Sequence, residues 1–206
     1  MSIVDQLASR QGVLGAEPNK AVARRCLDDP RLLAELRPHL QSKDRRLQGD
    51  VAEVFTEVAR LRPDLVVPYA DDLLALLITR NNRALWEMLA GLAIIAGQVA
   101  DKVYAYRERL LPLAKTSSVI VVDGAIRTLA QVAAANSTYA QAIVPELLTL
   151  LHTCIPRDLP RYGEYIQPAV LAHPELRAEM QAILESRLSE GNASAQARVR
   201  RLLKSL

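Results

Sequence analysis

The chain repeats its apolar pattern every 37 residues, and this spacing constrains the fold more than any other feature. A fixed period in this range is typical of proteins built from stacked repeats, in which each repeat buries its apolar face only against its neighbours. The sequence therefore predicts an array of stacked units with an extended binding surface. Four ladders of equivalent positions carry the repeat: Leu36, Leu73, Leu110 and Leu147; Phe55, Leu92 and Leu129; Val58, Ile95 and Val132; and Ala59, Ala96 and Ala133.

Each repeat has the pattern of two helices joined by a short polar turn. In the second repeat, residues 64–79 and 84–99 carry apolar residues at helical spacing. The first repeat places its helices at 30–41 and 45–61, the third at 101–115 and 119–135, and the fourth begins with 139–153. Residue types that favour helix N-caps occupy the turns: Ser42-Lys43-Asp44, Arg80-Asn81-Asn82 and Thr116-Ser117-Ser118.

The flanks are less regular than the centre, although we predict a single domain over 1–206. Residues 1–29 are predicted to form N-terminal cap helices, 30–153 the regular repeats, and 154–206 irregular C-terminal repeats. Pro156, Pro160 and Gly163 are predicted to break or shorten the second helix of the fourth repeat. The helical pattern resumes at 174–188 and again after Gly191, with Asn192 as the predicted cap.

A proline among leucines recurs in the first helices. It is found in Leu36-Arg37-Pro38-His39-Leu40, Leu110-Leu111-Pro112-Leu113 and Val144-Pro145-Glu146-Leu147-Leu148. Together with the capped second helices, this pattern resembles the HEAT-repeat family over residues 30–153. Asp44 fits the family's turn, whereas the usual Val-Arg pair of the second helix is replaced by Gln48-Gly49, Leu85-Trp86 and Val122-Asp123. The resemblance implies an all-α, right-handed superhelical α-solenoid of about five HEAT-like helix pairs, with the second helices on the concave side.

No motif of an enzyme active site is present in the sequence. Its eight glycines are dispersed and form no phosphate-binding loop, and no serine-nucleophile motif occurs. Cys26 and Cys154 are predicted to be reduced thiols. The pair His152 and Cys154, with His173 beyond it, lacks the fourth ligand and the spacing of a zinc site. We therefore expect a non-enzymatic protein without metal or cofactor.

The expected location is the cytoplasm. The first residues lack the basic and apolar regions of a secretory signal. The longest apolar run, residues 88–96, is about half the length that crosses a membrane. The sequence therefore predicts a soluble protein with no membrane partner.

The second helices carry the predicted binding site. Opposite the apolar ladders lie Gly49, Asp50, Glu53, Glu57 and Arg60 in the first repeat, Trp86, Glu87, Ala90, Ile94 and Gly97 in the second, and Asp123, Gly124, Arg127, Gln131 and Ala134 in the third. An exposed aromatic residue in an apolar strip with a charged rim is typical of a protein-binding hot spot. Alternatively, Trp86 belongs to the core. The predicted partner-binding residues are Trp86, Glu87, Ala90, Ile94, Glu53, Glu57, Asp123 and Arg127.

Nucleic-acid binding is the alternative function, although a net charge of +3 is a small excess for it. The phosphate-contacting candidates are Arg45, Arg46, Arg83, Arg198, Arg200, Arg201 and Lys204, which otherwise form solvated helix faces. Trp86 and Asp123 occupy equivalent positions in adjacent repeats, and alkylpurine DNA glycosylases built on HEAT-like repeats are similar in using aromatic and acidic residues on the concave face. That second resemblance implies DNA-base excision that depends on Asp123.

Overall fold

The computed structural model describes residues 2–116 and 118–206, so Ser117 of the third predicted turn lies outside the described residues. The described residues form α-helices and short 3-10 segments, with no strand among them. Their packing divides the chain into two compact halves, Met1–Lys102 (the N-terminal half) and Val103–Leu206 (the C-terminal half). Each half has a core of its own.

The N-terminal half contains three long α-helices and several short ones. The α-helices are α1 (Ala8–Gln11), α2 (Glu17–Asp28), α3 (Arg31–Leu36), α4 (Arg45–Leu61), α5 (Pro63–Val66), α6 (Ala70–Leu74) and α7 (Asn82–Ile95), and α8 (Ala100–Tyr104) contains the boundary between the halves. The 3-10 segments are Val4–Gln6, Arg37–Gln41, Val67–Tyr69, Ala75–Ile78 and Ala96–Val99.

The C-terminal half is built mainly from longer helices. They are α9 (Arg107–Leu113), α10 (Val119–Ala135), α11 (Ser137–Thr153), α12 (Leu159–Ala172), α13 (Arg177–Ser186) and α14 (Ala193–Ser205), with a 3-10 segment at Pro174–Leu176. Within this half α10 packs against α11 and α12, and α12 packs against α14.

The ladders predicted from the 37-residue period are confirmed as core positions. Every ladder residue is buried, with at most 1% of its surface exposed. In the N-terminal half, Phe55 meets the ring of Tyr69 edge-to-face, with 5.2 Å between the ring centroids. Two predicted caps are confirmed as well. Asp44 accepts hydrogen bonds from the backbone N–H groups of Arg46 and Leu47, and Asn192 accepts one from Ala195.

The first helices of repeats one to three are more fragmented than predicted. The predicted helix 64–79 is four short segments, and 101–115 is divided between α8 and α9. Pro38 and Pro68 lie at the start of 3-10 segments, where proline's missing N–H interrupts the α-helical hydrogen-bond pattern. In the fourth repeat α11 is continuous despite Pro145, and it begins at Ser137 because Asn136 caps it.

The second helix of the fourth repeat, predicted to be broken or shortened, is not broken, although its 14 residues are fewer than the 17 of α4 and of α10. Helix α12 runs without interruption from Leu159 to Ala172. Pro160 lies in the first turn, where backbone N–H groups have no intrahelical acceptor and proline is tolerated. Gly163 leaves room for α14, because a Cβ atom there would come within 2.4 Å of Leu202 Cδ2. The residues expected to break the helix therefore start it and let its neighbour approach.

One helical stretch is long and apolar enough, by length and composition, to cross a membrane. Among the described residues it is Asn82–Tyr104, with a mean hydropathy of 1.3 and 44% of its most apolar window buried. Core helices of repeat proteins pass the same test. In this stretch Met88, Leu89 and Leu92 are fully buried, where α7 packs along α4.

Candidate partner-binding site

Trp86 lies on a half-exposed strip of α7. Its side chain is neither fully exposed nor part of the closed core, and the same holds for Glu87, Ala90 and Ile94. The neighbouring helix α4 adds Glu57, whose carboxylate forms an ion pair with Arg60. We call Trp86, Glu87, Ala90, Ile94 and Glu57 the Trp86 strip. It offers an aromatic ring, one small and one larger apolar side chain, and two carboxylates on two packed helices.

A close approach of α4 and α7 positions the strip. The Thr56 hydroxyl donates a hydrogen bond of 2.6 Å to the backbone oxygen of Glu87. Gly91 permits this contact, because a Cβ atom there would lie 3.0 Å from Thr56 Oγ1 and 3.4 Å from Thr56 Cα. The backbone of Glu87 is therefore held against α4.

The Glu87 carboxyl is incompletely neutralised. Its partial burial raises the pKa above the ordinary value, and the nearby carboxylates of Glu53 and Glu57 raise it further. Arg60 and Arg83 act in the opposite direction without cancelling the increase. A positively charged group placed beside Glu87 would favour its ionised form.

Replacing Glu87 with glutamine should remove a pH-dependent part of the stability. Because the folded-state pKa of Glu87 is raised, its contribution is fully present below the unfolded value, near 4.5, and is lost as pH rises through the folded pKa. We expect the parent to gain stability as pH falls from neutral toward that value. Glu87→Gln should gain less and should be at least as stable at neutral pH.

Urea denaturation at several pH values would measure this difference. Glu35, an exposed carboxylate on α3, provides the matched control as Glu35→Gln. Asp50 does not affect this comparison. Because its pKa is lowered, it changes the free energy of unfolding only at pH values below its ordinary pKa of 3.8. An unchanged pH profile in Glu87→Gln would contradict the assignment.

Three residues predicted on the exposed stripe of the first repeat, Gly49, Asp50 and Glu53, are buried instead. Asp50 and Glu53 were expected on the exposed stripe of α4, but their exposed fractions are 1% and 7%. Helices α1 and α2 pack on this part of α4 and cover it. The sequence predicts that Glu53 presents a free carboxylate to a partner. In the structure it does not, because the side chain is buried.

A hydrogen-bonded network links these buried carboxylates to the N-terminal cap. Asn19 Nδ2 donates to Asp50 at 2.9 Å and to Glu53 at 2.7 Å, and the backbone N–H of Ser9 donates to Asp50 at 2.7 Å. Arg83 contacts both carboxylates at 2.7 Å. Burial by itself would raise the pKa of Asp50, but these hydrogen bonds outweigh it and hold the pKa below its ordinary value.

Sequence reasoning missed this network, although one residue indicated it. Gly49 gives Arg83 its route across α4, because a Cβ atom at Gly49 would lie 3.1 Å from Arg83 Cδ. A glycine followed by Asp50 and Glu53 within a helix, with an arginine in the next repeat, is the pattern that would have indicated it.

The other two predicted partner-binding residues belong to the C-terminal half. Asp123 is half-buried, with Arg161 Nε 3.2 Å from its carboxylate and the Tyr165 hydroxyl donating at 3.3 Å. Burial raises the pKa of Asp123, and Arg161 opposes that increase. Arg127 is exposed, with its guanidinium 5.7 Å from the centre of the Tyr165 ring. That Asp123 and Arg127 lie beside Trp86 stays a prediction.

The predicted phosphate-binding cations have different environments. Arg83 and Arg198 are each engaged by carboxylates, and Arg45 donates to the backbone oxygen of Arg80 at 2.8 Å. The remaining four, Arg46, Arg200, Arg201 and Lys204, are exposed. Nucleic-acid binding stays a prediction, and base excision does too.

The residues considered for a metal site have other roles. His173 Nε2 lies 2.8 Å from the backbone oxygen of Ala133, and Cys154 Sγ lies 3.6 Å from Arg187 Nη1. Both cysteines are free thiols. Across the part of the chain that the structure describes, no three His, Cys, Asp or Glu side chains are grouped to hold a metal ion.

Comparison with known proteins decides the fold. A computationally designed armadillo repeat protein for modular peptide recognition superposes with a TM-score of 0.73 at 17% identity, covering 99% of this chain and 98% of that one. The chain has an armadillo/HEAT-like repeat fold. A designed armadillo repeat protein in complex with the peptide (KR)4 gives a TM-score of 0.72 at 15% identity, covering 98% and 97% of the two chains.

An engineered protein solved by a structural genomics consortium is also similar, with a TM-score of 0.69 at 19% identity over 99% of this chain and 96% of that one. No protein-family profile and no curated protein sequence matches the chain. The helical structure and the similarity to solved armadillo repeat proteins confirm the all-α solenoid prediction. The distinction between HEAT and armadillo repeats stays a prediction.

Proposed function

We propose that this chain is a non-enzymatic repeat scaffold whose N-terminal half binds a cationic segment of a partner protein on the Trp86 strip. The observation that carries the proposal is the half-exposed tryptophan next to Glu87, whose pKa is raised by burial and by neighbouring carboxylates. A lysine or arginine side chain would compensate that charge in the bound state.

The chemistry of the strip fits a cationic ligand in two ways. An ammonium or guanidinium group is attracted both to a carboxylate and to the face of an indole ring, and partial desolvation strengthens each attraction. Ala90 and Ile94 are small or apolar, so the aliphatic part of a long side chain can pack beside them. Aromatic residues with such surroundings dominate the binding energy of many interfaces.

The structural comparisons support a peptide or protein as the partner, without bearing on its charge. The similar designed proteins include one made for peptide recognition and one in complex with the Lys-Arg peptide (KR)4. Their identity to this chain is below 20%, so they bear on the fold, and the choice of ligand rests on the strip itself.

A fluorescently labelled peptide of alternating lysine and arginine is the probe for this proposal. We expect Trp86→Ala to weaken its binding by about 30-fold or more, which corresponds to a hot-spot loss of about 2 kcal/mol. Glu87→Gln should weaken binding as well, while retaining the fold. Fluorescence polarisation at constant ionic strength measures both effects.

The control for nonspecific charge attraction is Glu35→Gln, which removes the same charge from an exposed site on α3. It should leave peptide affinity unchanged. Equal weakening by Glu35→Gln and Glu87→Gln would show that the peptide senses only net charge. Full affinity in Trp86→Ala would remove the strip as the site.

A further inference from the structure

A cavity lies in the C-terminal half, apart from the Trp86 strip. Its volume is about 270 Å³, and it is lined by residues at the starts of α12 and α14 together with Arg157 and Arg198. None of its lining residues is Asp or Glu, whereas Asn192 and Ser194 add polar groups. The described walls of the cavity therefore favour an anion.

Arg198 is held in place by a neighbour outside the cavity. Its Nε and one terminal nitrogen donate to the two carboxylate oxygens of Glu164, at 3.0 and 2.6 Å. The second terminal nitrogen of Arg198 does not take part in the pairing with Glu164. Because the pairing with Glu164 fixes the guanidinium plane, little side-chain entropy is lost when that nitrogen binds a ligand.

Arg157 contributes a second, less constrained cation. Its side chain is 77% exposed, and its nearest carboxylate, Asp158, is 3.7 Å away. Asn192 uses its side-chain oxygen to cap α14, so its NH2 group is left as a donor. The side-chain groups around the cavity are thus mainly donors.

We propose that this cavity binds the dianion of phosphate or of a small phosphate monoester. Two guanidinium groups and neutral donors match a group with several acceptor oxygens and about two negative charges. A backbone phosphodiester carries a single charge, so two guanidinium groups match it less well than they match a dianion. This proposal does not depend on the peptide-binding proposal, because the two sites are in different halves.

Isothermal titration with inorganic phosphate and with O-phosphoserine tests the site and distinguishes free from esterified phosphate. We expect saturable binding that weakens as acid protonates the dianion, which happens below pH of about 6 for O-phosphoserine and at a higher pH for inorganic phosphate. Arg157→Gln and Arg198→Gln should each reduce affinity at least tenfold. Tighter binding of O-phosphoserine than of phosphate would assign an esterified ligand, and the reverse would assign the free anion.

Arg200→Gln is the matched control, because Arg200 is an exposed arginine on the same helix and does not line the cavity. It should retain full affinity. If Arg198→Gln fails to fold by circular dichroism, the exposed Arg157→Gln alone decides the result. The proposal is overturned by absence of saturable binding at millimolar phosphate, by equal weakening in Arg200→Gln, or by an oligonucleotide that displaces phosphate.

Discussion

Replacing Phe55 with alanine should lower the free energy of unfolding by about 3–5 kcal/mol. Phe55 is fully buried in α4, and the edge-to-face contact with Tyr69 would be lost with its ring. The surrounding helices are close-packed, so they can fill the resulting cavity only in part. Urea denaturation followed by tryptophan fluorescence provides the measurement.

Two further variants separate cavity formation from other effects. Phe55→Leu keeps most of the apolar volume and should cost less than Phe55→Ala. Leu61 lies on the same helix but is 64% exposed, so Leu61→Ala should change stability by no more than about 0.5 kcal/mol. A cost below about 1 kcal/mol for Phe55→Ala would mean that the ladder position is not in the core.

Replacing Arg187 with methionine should cost about 3 kcal/mol, because it removes a buried charge with several partners. Arg187 is 8% exposed and donates to the backbone oxygens of Leu151, His152 and Cys154 at 2.8, 2.9 and 2.7 Å. The first two oxygens belong to the last turn of α11 and the third to Cys154, the residue that follows it, where no intrahelical donors remain. A cation at this end also interacts favourably with the helix dipole.

Thermal denaturation followed by circular dichroism would show this loss as a lower melting temperature. Arg200→Met, which removes an exposed arginine from α14, should have little effect. Arg187→Lys keeps the charge but cannot reproduce the fork of donors, so we expect an intermediate stability. Equal stability of Arg187→Met and the parent would show that water replaces the guanidinium at no cost.

The sequence predicted the core well because the repeat period encodes it directly. Leu36 and Leu147 lie far apart in the chain, yet both are buried for the same reason, since each repeat packs the same face against its neighbour. The turns were predictable at Asp44 and Asn192, where a capping side chain immediately precedes a helix. At Asn81 the same logic failed, because its side chain donates to Arg45 and Gln48 instead of capping α7.

The candidate site was less predictable where it contacts the N-terminal helices, which do not follow the 37-residue repeat. Asp50 and Glu53 would be exposed, as the repeat pattern predicts, only if no other helix packed on their face of α4. The non-repeating helices α1 and α2 occupy it and supply Asn19 as a partner. Likewise, the sequence predicts a helix break at Pro160 because it does not show which turn of a helix a proline will occupy, and the structure has Pro160 in the first turn of α12.

The chain has one tryptophan and two cysteines, and their positions make each half separately observable. Trp86 is in the N-terminal half, so its emission reports the unfolding of that half. Cys154 is half-exposed in the C-terminal half, whereas Cys26 is fully enclosed and burial raises the pKa of its thiol to about 12. A thiol-reactive dye would therefore label Cys154 first. Coincident transitions from the two reporters would establish a single cooperative unit, and separate transitions would give each half its own free energy of unfolding.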